Sequence, residues 1–516
     1  MRIIGTIVLE LAKRRRKRMD RWLMDPAGFQ NRTLMELVRH AEQTKWGQRF
    51  RFKSIHTVED FQKNVPLYSY EDFAPYWAQS LRGIPDVTWP GKIDYFALTS
   101  GTTSGNKIIP VSQETWKSNQ KAGFDTIVFY LMNTRHTHLF YGKFLFLGGS
   151  ALLRQTEFGT YMGDLSGIQS LNVPWYIKHI YSPGEEVARM ANWEEKIVRI
   201  AEVASRQDVR AMSGIPSWLG ILFNHVRQIT GKSHIRDVWP NLRLLIHGGV
   251  DFSPYRRKFK EMMGEDCHFI EVYPSSEGFV AIQDDLQKPD LLLMLDYNIF
   301  YEFVPVNELD EEKPTRLTLA DVDTKTNYAI VMSTNSGLWA YVLGDTIRFT
   351  SLKPHKIRIT GRIKHFINAF GEHLIVEEVD AALTHACHFF NCEMIDYTVA
   401  PLYPDSRLAL PAHQWLIEFK QTPADLTDFA VKVDEKLQLL NEDYSAHRSG
   451  GAGMLPPKIV ALPSGTFYEV MKRQCKLGGQ NKVSRLQNNR ELADLVLQVS
   501  DSLGSACKSP ASANTK

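Results

Sequence analysis

The segment 97-ALTSGTTSGNKIIP-110 concentrates hydroxyls, glycines and one lysine between apolar flanks. A turn of this make-up offers backbone N–H groups and Ser/Thr hydroxyls that can wrap a triphosphate, with Lys107 offsetting its charge. Two better-known phosphate grips do not fit. A Walker loop requires G-x-x-x-x-G-K-[ST], but Gly101 and Gly105 stand too close together, Asn106 precedes Lys107, and Ile108 takes the place of the magnesium-binding hydroxyl. The dinucleotide fingerprint G-x-G-x-x-G is absent, as is the G-x-S-x-G elbow of serine hydrolases. Taken alone, a Gly/Ser/Thr-rich surface turn has the same composition.

Such a loop needs a scaffold. At 516 residues the chain exceeds one core, which predicts a large N-terminal unit and a smaller second one. The first ninety or so residues read as helices: 34-LMELVRHAEQT-44 has apolar residues at helical spacing, and Thr57 can cap 57-TVEDFQ-62. From about Tyr95 the pattern becomes mixed α/β. The apolar runs 144-FLFLGG-149, 242-LRLLIHGG-249 and 268-HFIEVYPSSEG-278 each end in a Gly- or Ser-rich turn, as strands do when their carboxyl ends carry a site. Between them 193-WEEKIVRIAEVAS-205 reads as a helix, and 329-AIVMSTNSGLWAYVLGDTIRFT-350 as a hairpin turning near Asn335-Ser336-Gly337. The texture changes at the short strand 357-IRITGR-362; beyond it come a strand at 414–419, a helix at 426–440 and a strand at 458–462. The expected division is 1–358, 359–502 and a disordered tail, 503–516.

Composition excludes several classes. Hydrophobic residues at 43% and charged at 23% describe an ordinary globular protein, and a net charge of +3 supplies no stripe for a polyanion, so no nucleic-acid partner is expected. The one basic cluster, 13-KRRRKR-18, follows 3-IIGTIVLEL-11, a run too short to cross a bilayer. Residues 1–18 could touch a membrane surface weakly; a docked helix with a solvated basic face is the favoured reading. Five cysteines without a CxxC pair fit a reducing, cytoplasmic setting. The cluster 383-LTHACHFFNC-392 matches no common zinc spacing and is read as packing.

The opening stretch resembles the phosphate loop of the adenylate-forming superfamily, which includes acyl-CoA ligases. Four further segments follow in that superfamily's order: 247-HGG-249, 273-YPSSEG-278, 341-YVLGD-345 and 361-GRIKHFINAFGEHLIVEEVDAAL-383; near the end comes 479-GQNKVSRL-486. Within the superfamily the wording is most similar to bacterial members of the auxin-responsive acyl-acid amido synthetase family. The resemblance runs to about residue 490. It implies an α/β fold in which a large acyl-adenylating-type domain, with mixed sheets, helices and a small β-rich part, carries a smaller mobile α+β domain.

The resemblance also implies roles. Ser100, Gly101, Thr102, Thr103 and Ser104 would cradle the phosphates of ATP, with Lys107 as the local cation. Tyr273 would lie against the adenine, Ser275 or Ser276 near the α-phosphate, and Glu277 would hold Mg²⁺, which typically takes one or two carboxylates plus phosphate oxygens. Gly248 and Gly249 would admit the adenine, having no Cβ in the way. Asp345 would clamp the ribose hydroxyls, with Arg348 and Arg362 as further nucleotide-side residues. Lys482 would reach the phosphates and the substrate carboxylate in one orientation of the second domain, and Lys364 would mark the hinge.

The chain departs from the superfamily at Val342, where the Y-R-x-G-D form carries Arg. The implied activity is ATP-dependent joining of a carboxylic acid to an amine, an amino acid foremost, through acyl-AMP. An acyl-CoA synthetase forming a thioester is the alternative, and a non-catalytic binding protein on the same scaffold the third reading. Aromatic stretches 124-FDTIVFYLM-132 and 174-PWYIKHIY-181 are candidates for the acyl pocket or, equally, for core.

Overall fold

Helix α1 (Arg2–Met24) shows how the leading segment is used. Ala12, Met19 and Trp22 are buried, and a helix repeat puts Arg15 on the same face. The arginine is therefore carried inward, where it meets Asp125 and Asp296 at 2.7 Å or less. Burial pushes the Asp125 carboxyl above its ordinary range even with Arg15 beside it. The basic cluster is thus partly a docking element, and the helix packs into the main core.

The computed structural model describes residues 2–506, apart from 101–105, 149–152, 172–177, 191, 250–251, 310, 364–365, 368–373, 404–409, 442–443, 446–447, 449–453, 475 and 478–481. Helix α2 (Pro26–Ala41) is capped by Asp25 and stops short of residue 44, because Thr44 caps the next helix, α3 (Lys45–Arg49). Thr57 and Asp60 form a capping box that opens α4 (Val58–Asn64). Helix α5 (Tyr70–Leu81) follows, its start fixed by Asp72, which accepts from the N–H and hydroxyl of Ser69 at 2.8 Å.

Two sheets and their helices make the first unit, which runs to Arg358. In the smaller sheet β1 (Tyr95–Ser100) pairs antiparallel with β2 (Asn106–Val111), and β4 (Arg154–Gln155) joins through β5 (Tyr161–Gly163). The larger sheet has a parallel half made of β3 (Lys143–Leu147), β6 (Tyr181–Ser182), β7 (Val209–Gly214), β8 (Leu244–Gly248) and β9 (His268–Pro274). An antiparallel half continues it with β10 (Phe279–Gln283), β11 (Leu291–Leu293), β12 (Ile299–Pro305), β13 (Asn327–Thr334), β14 (Tyr341–Leu352) and β15 (His355–Arg362). The expected hairpin is β13–β14, with Gly337 in the left-handed region at its turn. Helix α6 (Gln113–Thr134) buries Val128, Phe129, Tyr130 and Leu131, so the stretch 124–132 is largely core.

The second unit begins at Ile359. After the short ribbon β16 (Phe366–Ile367) and β17 (Leu374–Ile375), strands β18 (Glu393–Leu402), β19 (Ala412–Gln421) and β20 (Lys458–Leu462) form one sheet. Helices Val376–Phe389 and Leu426–Leu440 cover one face through Val399, Trp415 and Ile417; Thr466–Arg473 and Glu491–Ala506 cover the other through Ala400 and Leu416. The cysteine-histidine cluster is a helix end. Cys392 N–H donates to the Cys387 carbonyl and Asn391 N–H to that of His388, with Asn391 at φ 48°. That is a Schellman cap, and it brings Cys387 and Cys392 together. The last helix corrects the expected tail: it continues to Ala506 because Leu503 extends its apolar row, while 507–516 lie outside the described residues.

Candidate functional site

The parallel strands β8 and β9 are neighbours in register, Gly248 beside Val272, so the segments 247–249 and 273–278 leave the sheet at one edge. A Cβ on Gly248 would stand 2.2 Å from the Val272 carbonyl oxygen. The glycine is thus demanded by strand packing, before any ligand is considered. Gly249 follows at φ 84°. His247 lies wholly inside, its ring stacked 3.9 Å from that of Phe252 and both nitrogens without a hydrogen-bond partner. Burial, and then the charge of Arg256, pushes it down to about 3, so it is neutral at any ordinary pH.

At the end of β9 the Ser275 hydroxyl donates to the Gly278 carbonyl and accepts from its N–H. The turn thus occupies the Ser275 hydroxyl, while Ser276 is buried beside Glu277. The Tyr273 hydroxyl donates to Oδ2 of Asp345 at 2.6 Å. Strand β14 is four places from β9, about 19 Å in a flat sheet, so the sheet curls to close this contact. A bulge helps: Val331 pairs with Val342 and Ala329 with Thr346, leaving Ile330 opposite Leu343–Asp345, with Gly344 at φ 92°. Bulges of this kind re-aim a side chain.

Sequence reasoning missed Tyr70, Glu71 and Tyr341 as neighbours of this cluster. Burial pushes the Tyr341 phenol up, and Glu277, Glu71, Tyr70 and Asp345 all push the same way. Lys107 joins them through Tyr70, its ammonium 5.2 Å from the ring centroid. The signal available was 69-SYED-72, a helix start of the S-x-x-D kind that puts Tyr70 and Glu71 in the first turn. Among the described residues no group of three His, Cys, Asp or Glu side chains could hold a metal unaided. A Glu277-held Mg²⁺ completed by phosphate oxygens needs no such group.

The strands β1 and β2 deliver the loop. Ser100 pairs with Asn106 and Thr99 with Lys107, which closes the ends around Gly101, Thr102, Thr103 and Ser104; those four lie outside the described residues. Arg348 sits beyond the bulge, opposite Asn327. Arg362 ends β15, and Lys364 lies outside the described residues. In the second unit Lys482 is exposed. The residues after it are pinned: Thr398 donates to the Ser484 carbonyl, Val399 to that of Arg485, and Gln487 to that of Val399. Arg485 meets both oxygens of Asp380 at 2.6 Å, and Tyr397 donates to the same carboxylate. Of the aromatic stretch 174–181, residues 174–177 lie outside the described residues, while Tyr181 lines a small cavity with Phe146, Ser166 and Lys196. Among the described residues no helix is long and apolar enough to cross a membrane.

Three models of one family match the chain: the GH3 family N-terminal domain over 15–160 and 151–268, the central domain over 292–362, and the C-terminal domain over 377–491. An indole-3-acetic acid-amido synthetase of Arabidopsis thaliana, GH3.3, is 21% identical over 550 residues, 90% of each chain. The jasmonoyl–L-amino acid synthetase JAR6 of Nicotiana attenuata is 24% identical over 533 residues, 88% of this chain and 89% of its own. Among solved structures, the GH3.15 acyl acid amido synthetase superposes with a TM-score of 0.77 at 16% identity, covering 93% of this chain and 95% of that one. A 2-hydroxyisobutyryl-CoA ligase holding its acyl-AMP reaches 0.59 at 13% identity, with 91% of each covered. The fold is therefore that of adenylate-forming enzymes, a large mixed α/β unit with a smaller C-terminal one.

Proposed function

We infer the chemistry from one premise: the chain belongs to the GH3 family. It is an ATP-dependent ligase that activates a carboxylic acid as acyl-AMP and joins the acyl group to an amine, an amino acid foremost. In the first step a carboxylate oxygen attacks the α-phosphorus of ATP and pyrophosphate leaves. In the second the amine attacks the acyl carbon, AMP leaves with the bonding pair, and the amine loses a proton. The observation that carries the reading is the buried Tyr273–Asp345 contact beside Ser276 and Glu277 at one sheet edge, in a chain matched by all three GH3 domain models.

Two anions must meet, so donors and cations at the phosphorus supply most of the catalysis. Asp345 accepts from the ribose hydroxyls while Tyr273 fixes its orientation. Gly248, Gly249 and Tyr273 border the adenine, and Ser276 serves the α-phosphate in preference to Ser275. Ser100 to Ser104 and Lys107 hold the outer phosphates, with Arg348 and Arg362 as further contacts. Glu277 holds Mg²⁺, whose part is to offset phosphate charge. Lys482 bridges phosphate and carboxylate during adenylation, and Lys364 is the hinge on which the C-terminal domain turns between half-reactions. A bacterial origin and a cytoplasmic setting belong to the same proposal, supported by motif wording and sparse cysteines.

The test is pyrophosphate exchange into ATP across a carboxylic-acid library, followed by pooled amino acids or coenzyme A. Exchange that depends on one acid and on Mg²⁺, then amide formation, is the expected result. Product only with coenzyme A would move the acceptor to a thiol, and nucleotide binding without acid-dependent exchange would leave a binding protein.

A further inference from the structure

We propose that Tyr70 positions Lys107 for the phosphates of the nucleotide, an inference that rests on the adenylate-forming reading for the role of Lys107. Strand β2 is the edge of its sheet, in the order β2-β1-β5-β4, so its outward N–H groups have no strand to pair with. The N–H of Ile108, next to Lys107, donates instead to the Tyr70 hydroxyl at 3.0 Å. The ring of the same tyrosine lies 5.2 Å from the Lys107 ammonium, within cation–π reach. One side chain therefore holds both the backbone and the charge of the strand that leaves the loop at 101–105. A lysine otherwise swings on four flexible carbons, and the ring narrows its arc.

Tyr70 is itself held firmly. It is the first residue of α5, directly after the Ser69–Asp72 contacts, and its ring packs 5.7 Å from that of Trp77. Two residues earlier the backbone is laced to β14: Tyr68 N–H donates to the Ala340 carbonyl at 3.0 Å, and Val342 N–H to the Tyr68 carbonyl at 2.8 Å. Residues 68–70 thus connect the strand that carries Asp345 to the strand that carries Lys107. No side chain of Tyr70 needs to touch the reactants for this to matter.

The experiment compares the full-length protein with Tyr70→Leu, Tyr70→Phe, Lys107→Ala and the Tyr70→Leu/Lys107→Ala pair. Two readouts are taken: KM for ATP in acid-dependent pyrophosphate exchange, and Kd for a fluorescent ATP analogue. Tyr70→Leu should weaken nucleotide affinity roughly 3- to 30-fold, chiefly in KM rather than kcat. Tyr70→Phe, which keeps the ring, should lose less. In the Lys107→Ala background Tyr70→Leu should add almost nothing. Equal effects of Tyr70→Leu with and without Lys107, in a protein of unchanged melting temperature, would overturn the assignment, as would an unchanged affinity in Tyr70→Leu. Absence of exchange with every acid would instead count against the adenylate-forming reading, and analogue binding would still report the coupling.

Discussion

Tyr273 and Asp345 lie on strands with three others between them, yet hydroxyl and carboxylate meet at 2.6 Å. A buried carboxylate so held is oriented in advance, as the proposed ribose contact requires. Asp345→Ala should raise KM for ATP roughly 10- to 100-fold, the scale of losing hydrogen bonds to a charged acceptor. Tyr273→Phe should give a smaller rise, because the acceptor remains but turns more freely. Steady-state exchange kinetics in ATP and in its 2′-deoxy analogue check this, and Asp345→Ala should narrow the preference between them.

Lys482 and Arg485 lie three residues apart in unlike settings, one exposed and one paired with Asp380. Lys482 is exposed, so Lys482→Ala should keep the melting temperature while cutting adenylation about 100-fold or more. Arg485→Met should instead lower stability, since it removes the guanidinium that pairs with Asp380 and lies over the Tyr397 ring. Removing one partner of a buried pair costs about 3–5 kcal/mol. Thermal unfolding and exchange rates measured on both variants distinguish the two.

Arg15 makes the same argument for the leading helix. Its side chain is 10% exposed and that of Asp125 is fully buried. Arg15→Met should destabilise the first unit by about 3–5 kcal/mol, whereas Arg14→Met, which the structure leaves exposed, should have little effect. Urea titration of the two variants decides it.

His247 gives the protein an acid weakness. Its folded value is depressed to about 3 from 6.5, so between those pH values the unfolded chain binds a proton that the native ring does not. Stability therefore falls as pH drops through that window. By pH 4.5 this one site removes about 3 kcal/mol, at 1.4 kcal/mol per unit. His247→Phe, which keeps the stack on Phe252, should lose correspondingly less between pH 7 and pH 4.5 in denaturant titrations.

Periodicity carried the regular elements well. The helix at 426–440 and the strand at 458–462 fall where apolar spacing puts them, and the turn-ended runs become β8 and β9. Strand β18 was not legible, because helices cover both faces of its sheet and Tyr397, Thr398, Val399 and Ala400 are buried in succession, which erases alternation. Motif wording named Tyr273 and Asp345 but not their contact, which needs the curl of a long sheet and the bulge at Gly344. Tyr70 and Glu71 were hidden for the same reason: they reach the site from a helix more than 200 residues ahead of Tyr273 and Asp345. Gly248 was legible as a glycine, although its first duty is to the neighbouring strand.

The lacing of residues 68–70 to β14 on one side and to β2 on the other has a mechanical meaning. It acts as a gauge: main-chain bonds on the β14 side and the Tyr70 side chain on the β2 side together set the distance between Asp345 and Lys107. Inserting a single residue between Tyr68 and Tyr70 would shift Asp345 and Lys107 against each other by about 3.3 Å.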